Sequence, residues 1–146
     1  VPAIVHGGRV VTECAAICAY LADAFPDAGL APPLDARDAY YRWLFFGGSC
    51  FEPALTMELM VKPSEPLPAG SIGWGSFDRV IDTLETTLSQ KEVLVGTTVT
   101  AADIYIGAQL NWARMFGAPR IADSPVISAY LERMIARPAY GRAMSG

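Results

Sequence analysis

A mainly helical fold, with a β-hairpin and one helix ahead of an all-helical body, is what this sequence predicts, and three observations carry that prediction. Two short runs rich in Val and Ile, Ala3 to Val5 and Arg9 to Val11, flank His6-Gly7-Gly8, whose glycines supply the dihedrals of a tight turn. From Cys14 onward the apolar residues recur at helical rather than alternating spacing. Finally, Thr100-Ala101-Ala102-Asp103 sets a hydroxyl and a carboxylate three residues apart ahead of an apolar run, the pattern of a capped helix start.

Taken in order, the hairpin comes first. Two strands alone are marginal in water, so it must pair with further strands, expected ahead of Val1, or pack on helices. A helix over Cys14 to Ala24 follows, with Ile17, Tyr20, Leu21 and Ala24 on one face, Thr12 or Glu13 placed to start it and Pro26 just beyond its end. Pro26, Pro32, Pro33 and Gly29 then make a stiff connector. The chain accordingly divides into a first part at 1–25, a linker at 26–34 and a helical body at 35–146.

In that body, Asp35 to about Met60 reads as one long helix with Tyr40, Trp43, Leu44, Phe51 and Leu55 inward. It should bend near Pro53, which lacks an amide hydrogen and crowds the preceding turn. Lys62 to Gly75, with three prolines and three glycines, is a loop. Phe77, Ile81, Leu84 and Leu88 form an amphipathic stripe. The helix opened by Thr100, with Val99 and Ile104 as a hydrophobic staple, runs through Met115. It is apolar on nearly every side and is expected at the buried centre of a bundle. Pro125 to Arg137 supplies one more helix, with Ile127, Tyr130, Leu131 and Met134 inward, stopped by Pro138.

Composition narrows the function classes. Apolar residues make up 52% of the 146 and charged residues 18%, which predicts a well-filled interior or an apolar surface that needs a partner, with an oligomer as the default. No apolar run approaches the roughly 18 residues of a membrane span. A formal charge of -4 without any Lys and Arg cluster gives no electrostatic footprint for nucleic acid or for an anionic membrane surface. Three cysteines, Cys14, Cys18 and Cys50, with no zinc-type spacing indicate neither a disulfide framework nor a metal site, and a reducing cytoplasm fits them best. The chain opens at Val1 with no initiator Met, in what reads as the middle of an element, and is expected to be a fragment or a processed product.

Val1-Pro2 on a strand, a second strand, a helix opening Glu13-Cys14, and later the capped Thr100 to Ile104 continuing as Tyr105-Ile106-Gly107-Ala108 to Trp112, occur in an order that resembles the glutathione transferases, the bacterial members above all. The resemblance covers nearly the whole chain. It implies an all-helical C-terminal transferase domain at 35–146, preceded by a partial thioredoxin-like domain at 1–25 made of two strands and one helix.

The resemblance also implies a site. A cis bond before Pro2 would turn the Val1 amide and carbonyl outward, to pair with the cysteinyl part of an extended peptide ligand. Glu13 and Cys14 lie where a helix start offers unpaired amides, a seat for the γ-glutamyl carboxylate, with Glu13 available for its ammonium. Each has a plainer reading: Pro2 as a trans edge proline, Glu13 as a helix cap, Cys14 as an inert small residue. The family usually has a serine where Cys14 stands, and a thiol is the weaker hydrogen-bond donor. The second, electrophilic substrate would lie between the bent helix and the central one, at Ser49, Glu52 and Trp112. Their plainer readings are a solvated bend for the first two and core for the last.

Transferases of this family hold the glutathione thiolate with a Tyr, Ser or Cys near the start of their first domain. That group would precede Val1, so no catalytic residue is assigned. Apart from a helical ligand-binding bundle, with Pro2 trans and the hairpin peripheral, two functions remain open on these residues. One is conjugation of glutathione, as substrate, to small apolar electrophiles by a homodimer. The other is a non-catalytic module that uses the transferase shape for protein association. His6, the one histidine, reads as a surface residue, and no Ser-His-Asp set is available.

Overall fold

The structure, a computed structural model, describes residues 2–68 and 70–145. Strands β1 (Ala3–His6) and β2 (Arg9–Thr12) pair antiparallel in the register Ile4↔Val11 and Val5↔Val10. The two-residue turn between them puts both Gly7 and Gly8 at positive φ, 56° and 75°, where a side chain would be strained. Because side chains alternate across the pleat, Ile4 and Val11 share one face and are half-buried, while Val5 and Val10 share the other and are exposed. The hairpin packs on α1 (Cys14–Ala24), so α1 supplies the helix support that two strands require.

Helix α1 has the expected bounds but a different inward face. Ile17 and Ala22 are its buried residues, with Ala15, Cys18 and Ala19 against the core, whereas Leu21 is exposed and the Tyr20 hydroxyl meets His6 Nδ1 at 3.0 Å. The helix contacts the hairpin and also α5 (Ala101–Met115), so its contacts wrap two sides instead of forming the single stripe Ile17, Tyr20, Leu21 and Ala24. The connector that follows includes two short 3₁₀ turns, Pro26–Ala28 and Leu34–Ala36. Arg37 fixes it by donating to the Pro32 carbonyl at 2.9 Å and pairing with Asp23 at 2.7 Å.

The long helix begins at Asp38 and is unbroken to Val61, but its winding changes along the way. α2 (Asp38–Phe46) gives way to a π-helical turn at Gly47–Phe51, then α3 (Glu52–Thr56), then a second π turn at Met57–Val61. All five expected core residues, Tyr40, Trp43, Leu44, Phe51 and Leu55, are buried. The first π turn explains how Pro53 is tolerated. In α register the Ser49 carbonyl would wait for an amide that Pro53 lacks; in π register Glu52 N–H reaches back to Gly47 and the ring gains room.

α4 (Phe77–Leu88), capped by the Ser76 hydroxyl on Arg79 N–H at 3.3 Å, buries Phe77, Ile81, Leu84 and Leu88 as their spacing predicts. α5 carries the capping box: one carboxylate oxygen of Asp103 accepts from Thr100 N at 2.8 Å and from the Thr100 hydroxyl at 2.9 Å. The other accepts from Leu94 N at 2.7 Å and from the Tyr130 hydroxyl at 3.2 Å. α5 packs on α1, α2 and α6 (Pro125–Ile135) and is central. It is nonetheless not enclosed on every side. Ile104, Ala108, Trp112 and Met115 are exposed along one stripe, and with Ile104 37% exposed the staple with Val99 covers little. Pro138 does end the preceding helix, yet it also opens α7 (Pro138–Met144), a short helix that the stop signal concealed.

Candidate functional site

A cavity of about 560 Å³ opens where the start of α1 faces the π turn, α3 and α5. Its wall carries Pro2, Cys14, Glu52 and Trp112, so four of the seven nominated residues are brought together. Val1 lies outside the described residues. Glu13 immediately precedes Cys14 but is not on the wall, and Ser49 is absent from it.

Ser49 thus stands apart from the four nominated residues that line the cavity. Its hydroxyl is turned to the helix, donating to the Phe45 carbonyl at 2.8 Å. The physical reason is the π turn, which spends an extra residue per turn and rotates Ser49 away from the face that carries Glu52.

Glu13 holds a left-handed backbone, φ 68°, uncommon for a residue with a side chain and costly unless the surroundings impose it. Its carboxylate makes no capping bond to α1, which removes the plain cap reading. Only its carbonyl serves the helix, accepting from Ile17 N–H at 2.8 Å. Cys14, the first residue of α1, is exposed. Burial raises its thiol pKa, a hydrogen bond with the Cys18 thiol lowers it, and the Glu52 charge raises it further, so the group stays protonated at neutral pH.

Opposite, Tyr105 is buried and hydrogen-bonded to Gln109 Nε2 at 3.2 Å, and the same amide donates to the Gly47 carbonyl at 3.2 Å. Burial and then the Glu52 charge push the Tyr105 phenol up to about 12, so it stays neutral. Trp112 is 41% exposed and stacks on Phe116 with ring centroids 4.4 Å apart, so it is not the core residue of its plainer reading. Glu52 is the one charged side chain on a wall otherwise made of Phe51, Leu55, Met60, Ala108 and a few neutral polar groups.

Tyr105, Ala108 and Gln109 were not nominated from sequence, nor were Phe51, Leu55 and Thr56. The signal was present: Tyr105, Ala108 and Gln109 stand seven, four and three residues before Trp112, on its own helical face. Leu55 and Thr56 stand three and four beyond Glu52 in the same way.

Residues 74–138 match the family model described as the glutathione S-transferase C-terminal domain. The chain is 34% identical to a glutathione transferase from Methylococcus capsulatus strain Bath, with a TM-score of 0.77, covering 99% of this chain and 72% of that one. This chain belongs to the glutathione transferase family. It is likewise 30% identical to the bacterial beta class glutathione S-transferase of Sphingomonas chungbukensis, with a TM-score of 0.79 and the same coverage of 99% and 72%. A sphingomonad glutathione S-transferase solved in complex with glutathione is 28% identical, again at 0.79 and with the same coverage. Mainly helical architecture after an N-terminal hairpin is thus the family's, and the chain spans about 72% of these transferases' length.

Proposed function

We propose that this chain forms the larger part of a glutathione-conjugating transferase, with residues 1–25 as the remainder of a thioredoxin-like domain, 26–34 as linker and 35–146 as the helical domain. Glutathione would seat at Pro2 and Cys14 in the cavity, and a small apolar electrophile toward Glu52 and Trp112. The observation that carries this reading is one cavity whose wall holds residues nominated for both ligands. The similarity to a transferase solved with glutathione supports the ligand.

The chemistry needed here is proximity. Two bound reactants held in one cavity gain the entropy that free encounter would lose. The thiolate itself needs a donor to stabilise it, and in this reading that group belongs to the share of a transferase's length that these 146 residues do not span. Tyr105 remains a phenol and Cys14 a thiol at neutral pH, so neither supplies a base. The reading includes a homodimer in a reducing cytoplasm, consistent with three free cysteines and several exposed large apolar residues.

Glu13 gives the test. Its carboxylate takes no capping bond and stands beside the first turn of α1, where it would pair with the γ-glutamyl ammonium. Glu13→Gln should weaken glutathione binding about tenfold, the worth of one charge-assisted hydrogen bond, measured by titration calorimetry on the folded chain. Unchanged affinity would remove Glu13 from the site; no binding by the wild-type chain would favour the second reading. That reading, a non-catalytic association module, draws on the exposed hairpin face, where Val5 is 74% and Val10 68% exposed.

A further inference from the structure

Cys14 and Cys18 stand one turn apart, four residues from one another on the same face of α1. Cys14 is exposed and forms part of the cavity wall; Cys18 lies deeper, half-buried against the core. Cys50, the third thiol, bonds instead with the Ser49 hydroxyl at 3.6 Å. We propose that Cys14 and Cys18 are a redox pair: Cys14 is oxidised by a low-molecular-weight disulfide such as oxidised glutathione, and Cys18 resolves the adduct into a reversible disulfide within α1.

The exchange balances. The Cys14 thiolate, having given its proton to solvent, attacks one sulfur of the external disulfide, breaks its S–S bond and expels one thiolate, which takes up a proton. Cys18 then loses its proton and attacks the Cys14 sulfur, expelling the second external thiol. Two protein thiols become one disulfide, and one external disulfide becomes two thiols. Neither step requires a ligand in the cavity.

Helix geometry makes this bond a switch rather than a brace. Side chains four apart on an α-helix hold their Cβ atoms about 5–6 Å apart, while a disulfide needs about 3.5–4.5 Å. The first turn must therefore open. It can, because Cys14 begins the helix, no side chain caps it, and the backbone just before it is already left-handed at Glu13. A bond closed against that strain is readily reduced. Closing it draws Cys14 off the cavity wall and unwinds the helix start beside Glu13.

The titratable groups that bear on the pair are Glu52 and Tyr105, which line the cavity with Cys14, and Tyr40, whose phenol is affected by Cys18. Burial raises both thiols, Cys18 to about 11, so thiolate is scarce at neutral pH and the exchange is slow there. Its rate should rise as pH is raised above neutral, because the thiolate fraction of Cys14 grows.

The wild-type chain, Cys18→Ser and Cys50→Ser are incubated with oxidised glutathione, and intact mass and the non-reduced tryptic peptide spanning residues 10–37 are read. Wild type and Cys50→Ser should lose two hydrogens within that peptide and regain them with dithiothreitol. Cys18→Ser should instead accumulate a glutathionyl group on Cys14. A persistent glutathionyl adduct on Cys14 of the wild type, a linkage to Cys50, or no reaction in the folded chain while the urea-unfolded chain reacts, would each overturn the pair.

Discussion

Two buried tyrosines show how one atom decides what a residue is worth. The Tyr130 hydroxyl donates to the Asp103 carbonyl at 3.1 Å and to its carboxylate at 3.2 Å, joining α6 to the capped start of α5. The Tyr40 hydroxyl is equally hidden and has no partner among the described residues. Tyr130→Phe leaves a fully buried carboxylate one donor short and should cost about 1–3 kcal/mol. Tyr40→Phe removes an unsatisfied group and should be neutral or stabilising, by up to about 1–3 kcal/mol. Urea unfolding of both variants reads the contrast, and equal losses would contradict it. The Thr100 to Asp103 spacing displayed half of this network in the sequence. The Leu94 amide and the Tyr130 hydroxyl were invisible there because they reach Asp103 only through tertiary packing. Arg120 is similar: Asp78, Asp82 and Glu85 are visible as an acidic face of α4, but the left-handed residue that gathers them at 3.1, 2.7 and 2.7 Å belongs to a loop 35 or more positions away.

At the scale of elements, legibility followed regular period. The Phe77 to Leu88 stripe and the Thr100 cap each marked a helix that the structure contains, because a single local rule governs each. Winding changes leave no such period, so the π turn at Gly47–Phe51 and its rotation of Ser49 could not be read from the sequence, although Pro53 announced a disturbance there. Gly47 is what lets this turn lie against α5. Its φ is ordinary at -57°, so conformational freedom is not the reason for a glycine. A methyl group there would run into the Tyr105 ring and come within 2.8 Å of Gln109 Oε1. Gly47→Ala should therefore destabilise by about 1–3 kcal/mol, against the usual gain from removing a helical glycine. It should also displace Tyr105, moving the cavity wall, so thermal midpoint and ligand affinity fall together. A variant with raised stability would show that the turn has room to yield.

The hairpin is covered on one face only, although the central residues of both its faces are apolar. Strands buried on a single face alternate apolar and polar residues, whereas strands covered on both faces are apolar throughout. In β1 and β2 the central pairs are apolar on both faces: Ile4 and Val11 lie toward the protein, and Val5 and Val10, paired across the hairpin, are just as apolar and open to solvent. The sheet formed by the described residues has two strands, so both of its outer edges also present unpaired backbone groups. An apolar face bounded by free edges favours association with whatever strand or surface it meets. The 146-residue chain should therefore self-associate as its concentration rises, as seen by sedimentation velocity. Val10→Lys places a charge on that face at a position already 68% exposed, so it should shift the chain toward monomer while leaving its unfolding free energy in urea within about 0.5 kcal/mol of wild type. Association that survives the substitution would move the contact elsewhere, to the exposed Ile104, Trp112 and Met115 stripe of α5.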